Sequence, residues 1–178
     1  MLNYLKRKKI KIGILGGSFD PAHTGHVKIS TEAKKKYKLK YILWLITKKN
    51  PFKKKCKYSI KERIKFSKII TNNKKFIKIQ FLETRIKSNK TIDLIKFIKG
   101  INSSAKIYFI MGADNLIKFH RWKKWKKISK LCKILVFERQ GYKSKSIKSE
   151  AARYMNKNNW KFIKFNKIDI SSSQIRKI

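Results

Sequence analysis

The residues with the clearest chemical potential are two histidines, His23 and His26, three apart in the most glycine-rich stretch of the chain. Residues 13–26 read Gly-Ile-Leu-Gly-Gly-Ser-Phe-Asp-Pro-Ala-His-Thr-Gly-His and hold four of the seven glycines, one of the two prolines and two of the three histidines. A loop of Gly16, Gly17 and Ser18 behind a strand can turn tightly and aim backbone N–H groups at a phosphate. His23 and His26, at the start of a helix, would project both imidazoles from one face, and Gly25 between them lets a flat ring approach the backbone. The positive end of a helix disfavours an added proton, so both rings are expected neutral, each with one N–H to donate. Donors fixed beside an α-phosphate would stabilise the charge that builds as it is attacked and pyrophosphate leaves. No protein nucleophile is then required, because the attacking atom belongs to the acceptor. Two rival readings stand beside this one. Two histidines without a third ligand nearby make a poor zinc set, so no metal site is expected; two loop histidines satisfied locally would do no chemistry.

The elements that must position this loop alternate along the chain. Residues 10–15 are a short β-branched run that reads as a buried strand ending in Gly16-Gly17, and Val27, Ile29 and Ala33 give a helical stripe from His23 to about residue 36. A second strand is expected at 41–46, closed by Asn50-Pro51. Ser59 and Glu62 have the spacing of a capping box, with a helix behind them through Ile69-Ile70. A strand at 76–80 precedes a helix from Thr91, after which Gly100 sits where a helix end wants a residue free to adopt positive φ. Then come a strand at 106–111 ending in Gly112, a helix at 122–131, a strand at 134–137, a helix at 149–156 and a strand at 160–165. The tail from residue 171 opens on three serines, good N-cap material. Strands alternating with helices of this length call for an α/β fold, a Rossmann-like doubly wound parallel sheet in a single domain. Ligands bind such sheets beyond the strand C-termini, at the switch point. Gly16-Gly17, Asn50-Pro51 and Gly112 all fall there and are expected to be neighbours.

Composition bounds the answer. The 178 residues fit one domain, taken as 10–178, with 1–9 as a basic N-terminal extension; 42% hydrophobic and 12% aromatic content argues against wholesale disorder. The net charge of +40 invites a nucleic-acid reading, but 42 of the 49 basic residues are lysine and they run the whole length. Arginine forks read bases and grip phosphates bidentately, whereas scattered lysines mostly make a solvated surface. Specific nucleic-acid binding is therefore not expected, although such a surface attracts anionic substrates at low salt. Cys56 and Cys132 match no metal-ligand spacing and read as ordinary reduced thiols. No run approaches the ~18 apolar residues of a membrane span, and the apolar stretch after the basic start is too short for a signal peptide, so a cytoplasmic protein without a membrane partner is expected.

The string GGSFDPAHTGH resembles the signature of the adenylyltransferase superfamily whose members carry a His-x-Gly-His motif. Further segments narrow the resemblance to bacterial nicotinate-nucleotide adenylyltransferase. Asn50-Pro51-Phe52-Lys53 is similar to that family's loop for the mononucleotide phosphate, and Glu83-Thr84-Arg85 with Thr91-Ile92-Asp93 to its Glu…Tyr-Thr-x-Asp-Thr stretch. Met111-Gly112-Ala113-Asp114, with Phe119-His120-Arg121-Trp122 behind it, resembles its Gly-(Gly/Ala)-Asp…Trp segment. Arg139-Gln140-Gly141-Tyr142 is similar to its Arg-Pro-Gly-Tyr, and the stretch from Ile170 to Arg176 to its Ile-Ser-Ser-Thr-x-Ile-Arg. The matches run in the family's order over nearly the whole chain.

The resemblance implies a nucleotidyltransferase-type sheet and transfer of AMP from ATP to nicotinate mononucleotide, giving deamido-NAD and pyrophosphate in NAD biosynthesis. It implies that His23 and His26 contact the reacting phosphates, with Gly16, Gly17, Ser18 and Gly25 as the cradle. Asp114 would take the ATP ribose, and Ser172, Ser173 and Arg176 the triphosphate. Lys53, Thr91 and Trp122 would bind the mononucleotide, the indole stacking on the pyridine ring, and Mg²⁺ would travel with ATP on phosphate oxygens and water. Alternatives stay open: Trp122 and Trp125 could be core residues, the serines no more than a cap, and Lys54, Lys55 or Lys57 could stand in for Lys53. Asp93 reads as a first-turn dipole acid and His120 as a structural or surface residue. Lys90 and Leu94 stand where the family has Tyr and Thr, Gln140 where it has Pro, and the chain stops two residues after Arg176. Amide-preferring or phosphopantetheine-directed adenylyl transfer, and a basic nucleic-acid-binding module, are the competing functions.

Overall fold

The computed structural model describes residues 2–6, 9–48, 56–72 and 74–165. Six strands form one sheet, β1 (Lys11–Gly17), β2 (Tyr41–Ile46), β3 (Ile77–Gln80), β4 (Lys106–Gly112), β5 (Lys133–Phe137) and β6 (Trp160–Ile163). Their order is β3-β2-β1-β4-β5-β6 and every pairing is parallel. The chain thus winds outward from β1 in one direction, returns, and winds outward in the other. β2 and β5 are buried along almost their whole length, as strands covered on both faces must be.

Among the described residues, eight α-helices supply the crossovers: α1 (Thr24–Tyr37), α2 (Ile60–Ile70), α3 (Glu83–Ile86), α4 (Thr91–Ile101), α5 (Ala113–Lys118), α6 (Trp125–Leu131), α7 (Lys143–Ile147) and α8 (Glu150–Tyr154). On one face α1 and α2 pack against Ile42, Trp44, Ile46 and Ile110. On the other, α4, α5, α6 and α8 pack against Ile12, Ile14, Phe109 and Val136. Ile92, Ile95 and Ile98 give α4 its inward stripe; Ile95→Ala would cost about 2–5 kcal/mol in lost burial and cavity. The capping box at α2 forms as its spacing predicts, Glu62 N–H donating to Ser59 Oγ at 3.3 Å and Ser59 N–H to Glu62 Oε2 at 2.8 Å.

Several expectations need correction. β1 runs on through Gly16 and Gly17, which pair with Leu45 and Ile46, so these glycines end the strand rather than form the loop after it. Gly100 lies inside α4; the helix closes at Asn102 in extended conformation, whose N–H donates to Ile98 O. No helix spans 122–131: a 3-10 turn, Phe119–Arg121, leads to an extended Trp122, and α6 starts only at Trp125 behind a left-handed Lys124. α3, α5 and α7 were not anticipated, because four to six residues show too little periodicity. Within the segment 1–9, Leu2 and Leu5 are buried in the core, and Asn102 Nδ2 donates to Leu5 O at 2.7 Å. The serine-led tail lies outside the described residues. No helix of the described residues is long and apolar enough to cross a membrane.

Candidate active site

The pairing of β1 with β2 continues to Gly17↔Ile46, whereas its pairing with β4 stops at Leu15↔Ile110. β1 and β4 therefore part at their C-terminal ends, where the direction of winding reverses. The N-termini of α1, α4 and α5 follow the ends of β1, β3 and β4, so His23 and His26, Thr91 and Asp114 all belong to this edge. This is the crevice in which doubly wound sheets hold ligands.

His23 is the N-cap of α1 and His26 its third residue, and together they make a capping box built of imidazoles. Gly25 N–H donates to His23 Nδ1, and His23 N–H to His26 Nδ1, each at 3.2 Å. A ring nitrogen that accepts carries no proton, so these two bonds assign both neutral rings the Nε2–H tautomer. The backbone thereby fixes which ring nitrogen of each histidine carries the proton. The rings lie 3.9 Å apart between centroids. His26 rests on Phe19 at 4.8 Å, and Phe19 stacks on Trp44 at 4.9 Å. Trp44 Nε1–H donates to Ser30 Oγ, which donates to His26 O, tying the platform back to the helix it supports.

The loop between Gly17 and His23 is held from the neighbouring connection. Phe19 sits at φ 48°, the left-handed region, and its ring is 2% exposed, so packing sustains a conformation that costs a non-glycine residue of order 1 kcal/mol. Asp20, in a cis bond to Pro21, is buried and accepts N–H bonds from Lys57 and Tyr58. Arg63 of α2, also buried, donates to the carbonyls of Ser18, Thr47, Lys48 and Tyr58. Sequence reading passed over Asp20, Arg63, Phe19 and Trp44. One signal was available: Arg63 is one of seven arginines in a chain that otherwise uses lysine.

Asp114, in the first turn of α5, forms an ion pair with Arg139 at 2.8 Å across the ends of β4 and β5. A Cβ on Gly112 would stand 2.5 Å from Asp114 Oδ1, so glycine there leaves room for the carboxylate to fold back. Thr91 is the first residue of α4, and nearby Asp93, in that first turn, accepts from Ser88 Oγ at 2.8 Å. Trp122 is half-buried, edge-on to Phe109 at 5.8 Å and Phe119 at 5.3 Å. Phe109 also lies 3.8 Å from where a Cβ on Gly16 would be, so one ring separates Trp122 from the end of β1. Gly16 is exposed and Ser18 and Gly17 partly so, while Gly25 is buried. Lys53, Ser172, Ser173 and Arg176 lie outside the described residues.

Two other features carry no comparable chemistry. A cleft of about 480 Å³ lies at the opposite edge, lined by Lys99, Lys106, Lys130 and Lys133 among others. Lys99 and Lys130 stand in the last turns of α4 and α6, where a cation complements the helix dipole. Burial pushes the Cys132 thiol up to about 12, which keeps it protonated and unreactive.

A family model described as cytidylyltransferase-like matches residues 14–178. A probable nicotinate-nucleotide adenylyltransferase of Pelagibacter ubique (strain HTCC1062) is 58% identical over 176 residues, covering 99% of this chain and 97% of that protein. One of Aquifex aeolicus (strain VF5) is 32% identical over 166 residues, covering 90% of this chain and 98% of that protein. Among solved structures, the Plasmodium falciparum nicotinic acid mononucleotide adenylyltransferase complexed with NaAD superposes with a TM-score of 0.76 at 24% identity, over 94% of this chain and 83% of that one. The structural likeness supports the fold, and the sequence relatives the narrower assignment. With the imidazole capping box at the open end of β1 and relatives matched nearly end to end, the chain belongs to the nicotinate-nucleotide adenylyltransferase family, within the cytidylyltransferase-like group.

Proposed function

We propose that the protein transfers AMP from ATP to nicotinate mononucleotide, giving deamido-NAD and pyrophosphate. The observation that carries this reading is the pair of Nδ1 acceptor bonds that leaves His23 and His26 with Nε2–H donors where β1 and β4 part. A phosphate oxygen of the mononucleotide attacks the α-phosphorus of ATP, a new P–O bond forms, and the bond to the pyrophosphate oxygen breaks. Charge rises on the α-phosphate oxygens and the leaving pyrophosphate, and donors already in place stabilise it without reorganising. Neither histidine has to accept a proton, and the rest of catalysis is positioning.

In this reading Gly16, Gly17, Ser18 and Gly25 form the cradle around the phosphates. Asp114, aligned by Arg139, accepts from the ATP ribose, and Ser172, Ser173 and Arg176 hold the triphosphate. Lys53 takes the mononucleotide phosphate, Thr91 hydrogen-bonds the mononucleotide, and Trp122 stacks on its pyridine ring. The Phe109 ring, placed between Gly16 and Trp122, supports a continuous floor from one substrate to the other. Mg²⁺ would accompany ATP, held by the triphosphate rather than by protein side chains, and would supply positive charge to offset that on the leaving group. The spread of 42 lysines among the 49 basic residues over the whole chain supports an enzyme without a specific nucleic-acid partner, and the reading places it in the cytoplasm. The test is incubation with ATP, Mg²⁺ and, separately, nicotinate mononucleotide, nicotinamide mononucleotide or phosphopantetheine, measuring pyrophosphate and the adenylylated product. Nicotinate mononucleotide is expected to turn over fastest; turnover with none of the three overturns the reading.

A further inference from the structure

We infer that Asp20 and Arg63 are positioning residues for the transfer: they lock the loop carrying His23 to the connection between β2 and α2, and so set the separation of the two substrates' phosphates. The inference rests on the function proposed above and adds two residues which that function does not use. Asp20 is 4% exposed, and its two carboxylate oxygens accept the Lys57 and Tyr58 N–H groups at 3.0 Å each. Arg63 is 2% exposed and reaches across the same gap in the other direction. Its Nη1 donates to Ser18 O at 2.7 Å and Thr47 O at 2.8 Å, its Nε to Tyr58 O at 3.1 Å and its Nη2 to Lys48 O at 3.4 Å. Glu83 Oε2 accepts the Lys48 N–H at 3.1 Å, fixing that peptide from the side of β3 as well.

The partners explain why this is more than a buried polar cluster. Ser18 follows Gly17 at the end of β1, and His23 stands three residues after Asp20. Thr47 and Tyr58 bracket the connection that contains Lys53, the residue proposed for the mononucleotide phosphate. A planar guanidinium can serve carbonyls of both connections at once, whereas lysine offers a point charge on a flexible stem. The reaction needs the attacking oxygen in line with the α-phosphorus, and a displacement of about 1 Å can cost about 10²-fold in rate. A clamp that joins the loop of His23 to both ends of the β2–α2 connection therefore acts, on the roles proposed above, on the transfer step rather than on either substrate alone.

The test uses the full chain with Arg63→Lys and Asp20→Asn, each alone and combined with His23→Ala, at saturating ATP, Mg²⁺ and nicotinate mononucleotide. Arg63→Lys is expected to lower kcat about 10–100-fold per folded enzyme. A non-hydrolysable ATP analogue alone should still bind within about three-fold of wild type, since the clamp spans two loops. The loss should shrink when His23 is already alanine, because the clamp acts through the placement of that donor. A loss of equal size in both backgrounds, or kcat within about three-fold of wild type, overturns the inference and leaves Arg63 a fold residue. If Arg63→Lys does not fold, Asp20→Asn keeps the shape, turns one acceptor into a donor facing an N–H, and carries the same expectations. An inactive wild type overturns the proposed function itself; an active wild type with indifferent variants overturns the clamp alone.

Discussion

His26 Nδ1 accepts the backbone N–H of His23 at 3.2 Å, so one histidine of the pair anchors the residue that carries the other. If both present Nε2–H to the reacting phosphates, His23→Ala or His26→Ala lowers kcat by about 10²–10³-fold, the scale for losing one preorganised donor. Substrate affinity changes much less, because the contact strengthens as charge develops. A variant at either position that keeps kcat within about three-fold of wild type would sink the role.

Since His23 is also the N-cap of α1, its replacement by alanine carries a stability loss of about 0.5–2 kcal/mol. Asparagine caps well but stops short of the reach of an imidazole Nε2. His23→Asn is therefore expected to melt near wild type while sharing the kcat of His23→Ala. Full activity in that variant would show that the cap, and not the donor, is what His23 supplies.

Much of this site was legible in the chain, for identifiable reasons. Val27, Ala33 and the Ser59–Glu62 box announce their helices through spacing alone, and the buried run of β2 through its length. The histidines stood out because glycines, proline and histidine crowd one segment. The expected helix at 122–131 failed because Trp122 packs edge-on against Phe109 and Phe119, a tertiary preference that overrides local periodicity. Gly100 misled because its left-handed freedom goes unused; its surroundings are open and the helix simply continues. Asp20 and Arg63 are 43 positions apart in sequence and meet only through strand order, which no local pattern encodes.

The Asp114–Arg139 pair separates orientation from stability. Its side chains are 20% and 46% exposed, so the pair itself contributes about 0–1 kcal/mol. Arg139→Met should leave the melting temperature nearly unchanged but let Asp114 lose its alignment. A rise of about five-fold in KM for ATP is expected, equivalent to about 1 kcal/mol for one misaligned hydrogen bond. An unchanged KM would remove Asp114 from the ribose site or Arg139 from its support.

Glu83 gives stability a pH signature. Burial pushes its carboxyl above the ordinary 4.5, against the lowering effects of the Lys48 N–H bond and of the Arg63 and Lys48 charges. The folded chain therefore holds this proton more tightly than the unfolded chain, so the contribution is full below 4.5 and is lost as pH rises through the folded value. Glu62 has the opposite sign: bonds with Ser59 hold its carboxyl low, and its contribution fades as pH falls. Glu83→Gln removes the first effect and leaves the second. The melting temperature of the variant should gain on wild type as pH rises above 4.5, then level off. A difference that stays constant between about pH 4 and pH 7 would show that Glu83 titrates as it does in the unfolded chain.

The charge of +40 makes a separate prediction. A solvated lysine surface should bind duplex DNA weakly, without sequence preference, and release it near physiological salt while turnover persists. Tight, sequence-selective binding at ~150 mM salt would restore a nucleic-acid role.

Nicotinate and nicotinamide mononucleotides differ in one pyridine substituent, carboxylate against carboxamide, and the acid is expected to be preferred by at least ~100-fold in kcat/KM. Discrimination requires groups that donate to an anion and cannot accept from an NH₂. Trp122 is not at a helix start; its own N–H donates to Phe119 O at 3.0 Å, and α6 begins at Trp125. Trp125 N–H donates to Trp122 O at 3.1 Å, so the donors are expected to be the N–H groups of Lys123 and Lys124, whose side chains also add positive charge to this turn. With the amide, a buried donor would face an NH₂ and stay unpaired, at about 1–3 kcal/mol per group. Two such donors reach the expected ratio. The measurement is kcat/KM for both mononucleotides at equal ATP and Mg²⁺. Comparable values would make this a dual-specificity enzyme and would leave the roles of His23 and His26 untouched, because those act on phosphates the two substrates share.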